Sequence, residues 1–289
     1  MMNDDSPFTI IKASGEQAAF SYGKLRASLK HTGAGDPLIE QIIRTVRNEL
    51  YPGISTREIY NRAFAMLRKD TPVFASRYKL KKAIFELGPT GFPFEKFVGS
   101  VLQYSGYEKE TGKVVPGTCV DHEIDVFARK NGIITLVECK FHSEQGRKCD
   151  VKIPLYIHSR FLDISSAWKK NYGNNLSEPW VVTNTRFTSD ARKYGRCAGL
   201  YLLSWDHPEG DSLKERIDRL GLHPVTSSTL MTKREKQFLL DKGIVLCRDL
   251  CEEPFMLDHI GVSEKRKTRI LEEIGQLCSS ENYLREKKG

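Results

Sequence analysis

A two-residue turn near the middle of the chain fixes how two apolar segments can pair. Asn131 and Gly132 separate residues 123–129 from residues 133–139, and both segments are rich in β-branched and large apolar side chains. Asn-Gly favours a type I′ turn because both central residues of that turn adopt positive φ. The two segments are therefore predicted to form an antiparallel β-hairpin.

The register of this hairpin brings two carboxylates together. Continued outward from the turn, the pairing places Asp125 opposite Glu138, where like charges destabilise a sheet unless a cation neutralises them. Lys140 lies on the same face as Glu138, and Cys139 can offer its carbonyl oxygen. Two carboxylates, one carbonyl and water molecules form an oxygen shell that suits Mg²⁺ better than zinc. The sequence thus predicts a magnesium site with a lysine beside it.

The alternative to a magnesium site is an ordinary ion-pair cluster at the end of a sheet. The carboxylate-x-lysine motif is short and occurs often by chance. Both faces of the hairpin are apolar, with Ile124 and Val126 predicted on the face opposite to the carboxylates. Charged side chains are unusual in a sheet that is covered on both sides. Their presence here favours the magnesium site over the ion-pair cluster. His122 and His142 flank the hairpin motifs, and each is interpreted as a structural histidine rather than an acid–base group.

Changes of pattern divide the chain into three segments. Prolines and glycines end a helical run at residues 88–93, and a softer break lies around residues 221–228. We expect a mostly helical domain with a small hairpin at 1–88. An α/β domain with a mixed sheet is expected at 89–220, and a small helical module at 221–289. The fold class is therefore α/β.

The periodicity of apolar residues predicts the individual elements. Apolar residues at every second position predict strands, and those spaced three or four positions apart predict helices. Strands are expected at 8–12, 19–20, 123–129, 133–139, 180–183 and 200–204, and helices at 22–31, 37–50, 56–69, 74–87, 93–105, 154–172 and 189–197.

Composition and charge exclude several classes of protein. The 7 cysteines have no metal-ligand spacing, which argues against both a disulfide framework and a structural zinc site. The N-terminus resembles no signal peptide, and no run of about 18 apolar residues occurs. We therefore expect a cytoplasmic protein with no membrane partner. The net charge of +8 permits an anionic partner but forms no basic tail.

Five short motifs follow one another between residues 91 and 206. They are Gly91-Phe92-Pro93-Phe94-Glu95, Ser105-Gly106-Tyr107, Glu123-Ile124-Asp125-Val126, Val137-Glu138-Cys139-Lys140 and Val181-Val182-Thr183-Asn184-Thr185-Arg186-Phe187-Thr188. Together they resemble the Mrr-type restriction endonucleases of the PD-(D/E)xK superfamily. The resemblance implies an α/β/α nuclease fold and Mg²⁺-dependent hydrolysis of DNA, as in type IV restriction enzymes.

The resemblance also implies roles for single residues. Asp125 and Glu138 would bind the metal together with the Cys139 carbonyl. Lys140 would orient the attacking water and offset charge on the phosphate. Glu95 would be an outer acidic residue. Cutting both strands needs two active centres, so we expect a homodimer or a higher homo-oligomer.

A second set of motifs occupies residues 7–87. It consists of Ile11-Lys12-Ala13-Ser14-Gly15, Phe20, Lys24-Leu25, Gly53-Ile54-Ser55-Thr56-Arg57-Glu58-Ile59 and Ala75-Ser76-Arg77-Tyr78-Lys79-Leu80-Lys81-Lys82-Ala83-Ile84. These motifs resemble the ATP-cone, a regulatory domain that binds ATP or dATP.

The ATP-cone resemblance implies a nucleotide effector. Five residues that can offer charge or hydrogen-bond donors to a polyphosphate are the expected contacts. They are Lys12, Lys24, Thr56, Arg77 and Lys81. Ala13 stands where family members usually carry arginine, and a cone kept only for dimerisation is the alternative.

The C-terminal segment resembles a helix-hairpin-helix unit at residues 238–244 and 258–271. In that motif a hydrophobic-Gly-hydrophobic turn directs backbone amides at a DNA phosphate. The resemblance implies phosphate contacts by Lys265, Arg266 and Lys267, whereas a plain helical packing module is equally consistent with the pattern. Lys148 and Lys152, which follow the nuclease motifs, are further candidates for DNA contacts.

Three functions are compatible with these features. The first is a Mg²⁺-dependent DNA endonuclease, regulated by ATP or dATP, in restriction or anti-phage defence. The second is a nucleotide-responsive DNA-binding regulator whose nuclease fold is inactive; the presence of Asp125, Glu138 and Lys140 together argues against it. The third is a DNA repair or junction nuclease, which shares the chemistry and differs in substrate.

Overall fold

The computed structural model describes residues 5–279. The ends of the predicted segments 1–88 and 221–289, which are residues 1–4 and 280–289, lie outside the described residues. Within residues 5–279, no helix has both the length and the apolar composition that a membrane span requires.

The N-terminal part is a small hairpin followed by helices, as predicted. Its elements are β1 (Asp5–Ile11), β2 (Gln17–Ser21), α1 (Tyr22–Lys30), α2 (Asp36–Asn48), α3 (Thr56–Asp70), α4 (Pro72–Tyr78) and α5 (Leu80–Phe85). Ser21 and Ser55 cap α1 and α3, because their hydroxyl oxygens accept backbone N–H groups of the first turn. The prediction of one helix at 74–87 is wrong, because this segment contains two helices, α4 and α5, that are divided at Lys79. The Lys79 ammonium is buried there and donates to Glu86 (2.6 Å) and to the Thr226 carbonyl (2.8 Å).

The central part is a mixed five-stranded sheet with helices on both faces. Its elements are α6 (Phe92–Gln103), β3 (Glu108–Pro116), β4 (Asp121–Lys130), β5 (Ile133–Lys140), β6 (Lys148–Cys149), α7 (Lys152–Tyr172), β7 (Trp180–Thr183), β8 (Arg186–Phe187), α8 (Ser189–Cys197), β9 (Tyr201–Leu203) and α9 (Leu213–Leu220). The strand order is β3-β4-β5-β7-β9, antiparallel from β3 to β5 and parallel from β5 to β9. Strands β6 and β8 form a separate parallel pair. This arrangement is consistent with a restriction-endonuclease-like fold.

The predicted hairpin between β4 and β5 is confirmed. Asn131 and Gly132 have φ of 52° and 79°, and Lys130 pairs with Ile133. One detail of the prediction is wrong. Ile124 packs with the cluster that includes Ile164 and Trp168 of α7, whereas Val126 packs on the α6 side. The two residues do not share a face: Ile124 packs in the same cluster as Phe127, so the strict alternation of side chains along β4 is interrupted between them, close to the last β4–β5 pair at Val126.

Strand β3 is an edge strand that periodicity did not predict. Its burial alternates weakly, and charged side chains such as Glu108, Lys109, Glu110 and Lys113 occupy much of it. It is held mainly by its pairing with β4 from Glu108 to Pro116, and Val115 is its one fully buried side chain. Charged side chains of this kind are a common protection of exposed sheet edges.

The C-terminal part consists of a short 3-10 helix (Val225–Ser227), α10 (Lys233–Asp241), α11 (Cys247–Glu252), α12 (Met256–His259) and α13 (Glu264–Cys278). Thr232 and Glu235 form a capping box at the start of α10. These helices share one apolar core with α4, α5 and the α6 side of the sheet. The C-terminal helices therefore pack as part of the same body as the central sheet.

Candidate active site

Two carboxylates meet where β4 and β5 separate. The last pair of the ladder is Val126 with Val137. One position further out, Asp125 Oδ2 accepts the backbone N–H of Cys139 at 2.7 Å. The predicted backbone pairing of Asp125 with Glu138 therefore does not form, although the two residues lie at adjacent ends of the ladder. A side-chain hydrogen bond replaces the next backbone pair and fixes the Asp125 carboxylate.

The pKa values show that these carboxylates and Glu95 belong to one group of charges. Burial, with the nearby Asp125 charge, raises the pKa of Glu138 to about 7. Burial and the Asp125 and Glu123 charges raise the pKa of Glu95, in the first turn of α6, to about 7. Burial also raises the pKa of Asp125, and the Cys139 hydrogen bond opposes it. A cation among these groups would relieve their repulsion.

Arg160 of α7 is part of the site, and the sequence reasoning missed it. Its guanidinium donates to Glu138 Oε2 at 2.7 Å and also to the Glu123 carbonyl. The ion pair is mostly buried, with side-chain exposures of 14% and 22%. A signal did exist, because Arg160 lies at helical spacing from buried Ile157 and Ile164 and so occupies the inward stripe of α7.

Lys140 ends β5 beside the carboxylates. Its positive charge acts on Asp125, and its carbonyl accepts the Thr183 hydroxyl at 2.7 Å. Its ammonium makes no hydrogen bond or ion pair with any residue of the described part of the chain. The Lys140 cation is therefore available to a ligand at this edge of the sheet.

The donor set fits a hard divalent cation better than zinc. Within residues 5–279, no three His, Cys, Asp or Glu side chains are grouped to hold a metal by themselves. The Cys139 side chain packs in the core, and burial raises the pKa of its thiol well above the usual range. Two carboxylates, a backbone carbonyl and water would then be the ligands. Mg²⁺ commonly binds through one or two carboxylates and keeps several waters.

The two histidines near the site have structural partners. His122 bonds to Asp163 of α7 at 2.8 Å, and Asp163 also accepts the Cys119 amide at 2.8 Å. The His122 bond helps to lower the pKa of Asp163 to about 2. The backbone N–H and carbonyl of His142 are bound by the Asn184 side chain at 2.9 and 2.8 Å. The Asp163 contact supports the structural interpretation of His122, whereas the contacts of His142 involve only its backbone and its imidazole Nε2 has no hydrogen-bond partner among the described residues.

A large basic cavity lies against the N-terminal hairpin and helices. Its volume is about 770 Å³, within the size range of ligand pockets. Four cationic side chains and no acidic one line it. The lining residues are Ile11, Lys12, Ala13, Ser28, Ser55, Thr56, Arg57, Tyr60, Asn61, Tyr78, Lys81, Lys82 and Gln145. Three of the five residues predicted to contact nucleotide are thus brought together: Lys12, Thr56 and Lys81.

The other two predicted nucleotide residues lie elsewhere. Lys24 is exposed in the first turn of α1 and does not line the cavity. Arg77 donates to the Thr32 carbonyl (3.2 Å) and to the Gln276 carbonyl of α13 (3.0 Å). The prediction for Arg77 is corrected, because its guanidinium joins α4 to the C-terminal helix.

The residues predicted to contact DNA differ in whether their cations are paired with a carboxylate. Lys148, Lys152 and Lys265 are exposed. Arg266 is paired with Glu235 (2.7 Å), and Lys267 is paired with Asp258 (2.6 Å). Both charges join C-terminal helices, and the contact of Arg266 and Lys267 with DNA stays a prediction.

Comparisons with known proteins agree with the central and C-terminal parts of this description. The family model described as Restriction endonuclease matches residues 89–207, and the one described as AF1548-like, C-terminal matches residues 223–278. An uncharacterized protein of Archaeoglobus fulgidus is 34% identical over 176 residues, which are 60% of this chain and 95% of that protein. The crystal structure of a protein of unknown function, AF1548, superposes with a TM-score of 0.54 at 31% identity. It covers 65% of this chain and 98% of its own chain.

Proposed function

Because this chain belongs to the family of the Archaeoglobus fulgidus protein that it matches, and carries a restriction endonuclease domain at residues 89–207, we propose that it is a Mg²⁺-dependent DNA endonuclease that responds to ATP or dATP. Its role is restriction or anti-phage defence, with cleavage of the type IV kind. A homodimer or higher homo-oligomer would supply the two active centres that a double-strand cut needs.

The observation that carries the nuclease proposal is the carboxylate pair at the end of the β4–β5 ladder, with Lys140 beside it. Asp125 is held by the Cys139 amide and Glu138 by Arg160, so both oxygen donors are preoriented. Bound Mg²⁺ would supply Lewis-acid stabilisation of the phosphodiester and a more acidic water. Lys140, whose ammonium is unpaired within residues 5–279, offsets charge that develops on the phosphate.

Removal of divalent metal is expected to abolish cleavage. Supercoiled plasmid is incubated with the protein in EDTA, and then with excess Mg²⁺, and nicked and linear products are followed on a gel. Product should form only with Mg²⁺. A Lys140→Ala variant should cut at least about a hundredfold more slowly, because it loses the charge that faces the phosphate.

Lys193→Ala is the matched control for this assay. Lys193 is an exposed lysine of α8 outside the carboxylate group, and its variant should cut at the wild-type rate. Cleavage that persists in EDTA, or that both lysine variants retain, would contradict the proposal. Tight DNA binding with no cleavage would instead favour the inactive regulator, and preference for branched DNA would favour a junction nuclease.

The nucleotide part of the proposal is supported by the basic cavity. Four cations and no acidic side chain line the cavity, which suits a polyphosphate, and Thr56 begins helix α3, whose first turn offers backbone N–H groups. The Tyr60 hydroxyl is buried and has no hydrogen-bond partner among the described residues. Tyr60 and Tyr78 stack with ring centroids 5.0 Å apart, which adds an aromatic wall.

A Lys12→Ala variant is expected to bind a fluorescent ATP analogue about tenfold more weakly, since it loses a charge-assisted phosphate contact. Among residues 5–279, Lys12 pairs only with exposed Glu16 at 3.2 Å, an ion pair that a phosphate can displace. Fluorescence anisotropy measures the dissociation constant, and competition with ATP and dATP compares the two effectors. Lys24→Ala is the control, because Lys24 lies outside the cavity. Equal affinities for the two variants would contradict the site, and no binding at all would favour a cone kept for dimerisation.

A further inference from the structure

The basic cavity is not built by the N-terminal part alone. All its lining residues come from residues 11–82 except Gln145, which lies between β5 and β6 in the nuclease domain. Gln145 is five residues beyond Lys140. The segment that leaves the active-site strand therefore ends at the wall of the cavity.

We infer that the nucleotide site is composite, and that residues 141–147, here called the coupling segment, link its occupancy to the active site. The inference rests on the proposed nucleotide binding. It assigns Gln145 as a nucleotide-binding residue supplied by the nuclease domain. The ligand class is a nucleoside triphosphate, whose phosphates face the cations of the N-terminal part while Gln145 adds a side-chain amide to the lining of the cavity.

The coupling segment touches the hairpin at backbone level. A Cβ atom on Gly146 would lie 3.2 Å from the Ser14 nitrogen and 3.3 Å from its Cα atom. Gly146 has a φ of 91°, which favours glycine at this close approach. Ser14 directly follows Lys12 and Ala13, and both of those line the cavity. A ligand that moves the hairpin tip would therefore move the coupling segment.

The other end of the coupling segment is anchored beside the active site. Phe141 packs against Phe94 of α6 with ring centroids 5.7 Å apart. The Asn184 side chain binds both backbone groups of His142. These contacts hold residues 141 and 142 in a fixed relation to Lys140, whereas residues 143–147 are exposed. Residues 143–147 can change conformation when the cavity is occupied. Residues 141 and 142 transmit that change to the end of β5.

The coupling between the cavity and the active site can be tested from either of the two sites. A ligand shifts an equilibrium only when it binds two arrangements with different affinity, and the effect of one site on the other is reciprocal. A nucleotide bound between the hairpin and Gln145 favours the arrangement in which the hairpin and Gln145 both contact it. The ordering of residues 141–147 then changes with nucleotide, and the cleavage rate changes with it.

The experiment uses the full chain and four proteins: wild type, Gln145→Ala, Gly146→Val and Gly210→Val. Gly146→Val puts a branched side chain into the Ser14 backbone. Gly210 is the matched control, because its φ is 82° and a Cβ there meets nothing within 4 Å among the described residues. A fluorescent ATP analogue gives the dissociation constants, hydrogen exchange of residues 141–147 is compared with and without ATP, and plasmid cleavage is measured at several ATP concentrations.

We expect ATP to slow hydrogen exchange in residues 141–147 of the wild type. Gln145→Ala should bind the analogue about fivefold more weakly, as expected for one lost hydrogen bond. Gly146→Val should lose the effect of ATP on exchange and cleavage, whereas Gly210→Val should keep both. Normal binding with no change of exchange in residues 141–147 would overturn this inference alone. A wild-type protein that binds no nucleotide would overturn the proposed nucleotide site as well.

Discussion

An Asp125→Asn variant is expected to cleave plasmid DNA roughly a thousandfold more slowly than the wild type, the loss typical of removing one preoriented electrostatic group. The substitution keeps the size and the carbonyl oxygen of the side chain, so the hydrogen bond from the Cys139 amide can persist. It removes the negative charge that a divalent cation needs as a ligand. Initial rates of plasmid nicking at saturating Mg²⁺ measure the effect.

Asp121→Asn is the matched control for this variant. Asp121 lies on the same strand and is exposed, outside the group formed by Asp125, Glu138 and Glu95. Its variant should cut at a rate within about twofold of wild type, as surface substitutions usually permit. Thermal unfolding of both variants shows that the fold is kept. Wild-type cleavage by Asp125→Asn would remove the carboxylate pair from the mechanism.

The hairpin and its two carboxylates could be predicted because their geometry is local. The turn residues Asn131 and Gly132 fix the register, and the backbone pairing follows it without a shift as far as Val126 and Val137. The end of the ladder could not be predicted in the same way. Asp125 binds the Cys139 amide through its side chain, and periodicity carries no information on that exchange of partners.

Arg160 and strand β3 were not predicted, for different physical reasons. A cation on a helix usually faces solvent, and only the inward stripe of α7 indicates that Arg160 faces Glu138 instead. Strand β3 lacks the apolar alternation that indicates a strand, because this edge strand is held mainly by hydrogen bonding to the neighbouring strand β4. The contact that decides the position of Arg160, in contrast, comes from β5, an element more distant in sequence.

The residues that line the basic cavity could likewise be predicted only in part from the sequence. Motif order brought Lys12, Thr56 and Lys81 into the prediction, and all three line the cavity. The motif that suggested Lys81 also suggested Arg77, yet Arg77 faces the C-terminal helix. Gln145 could not be suggested at all, because it reaches the cavity from another part of the fold.

The C-terminal helices show how a polar cluster can join parts that sequence analysis separates. Glu273 of α13 is 4% exposed, and its carboxylate accepts four hydrogen bonds. The donors are the Ser76 hydroxyl (2.6 Å), the Ser228 hydroxyl (2.5 Å), and the Thr229 hydroxyl (2.6 Å) and amide (2.8 Å). Ser76 belongs to α4 of the N-terminal part. One buried carboxylate thus connects the N-terminal helices to the C-terminal module.

A Glu273→Ala variant is therefore expected to lose about 3 kcal/mol of unfolding free energy, because buried donors are left without an acceptor. The hydroxyls of Ser76 and Ser228 are fully buried, and α4 would lose a polar anchor on α13. Urea denaturation followed by tryptophan fluorescence and circular dichroism measures the change.

Glu272→Ala is the matched control, because Glu272 is the preceding residue on α13 and is exposed. Its variant should change the unfolding free energy by less than about 0.5 kcal/mol. Glu273→Gln should fall between the two, since the amide keeps one acceptor oxygen but turns a donor toward donors. Equal stability of Glu273→Ala and Glu272→Ala would mean that the buried cluster does not hold the N-terminal and C-terminal parts together, and that the apolar core they share is sufficient.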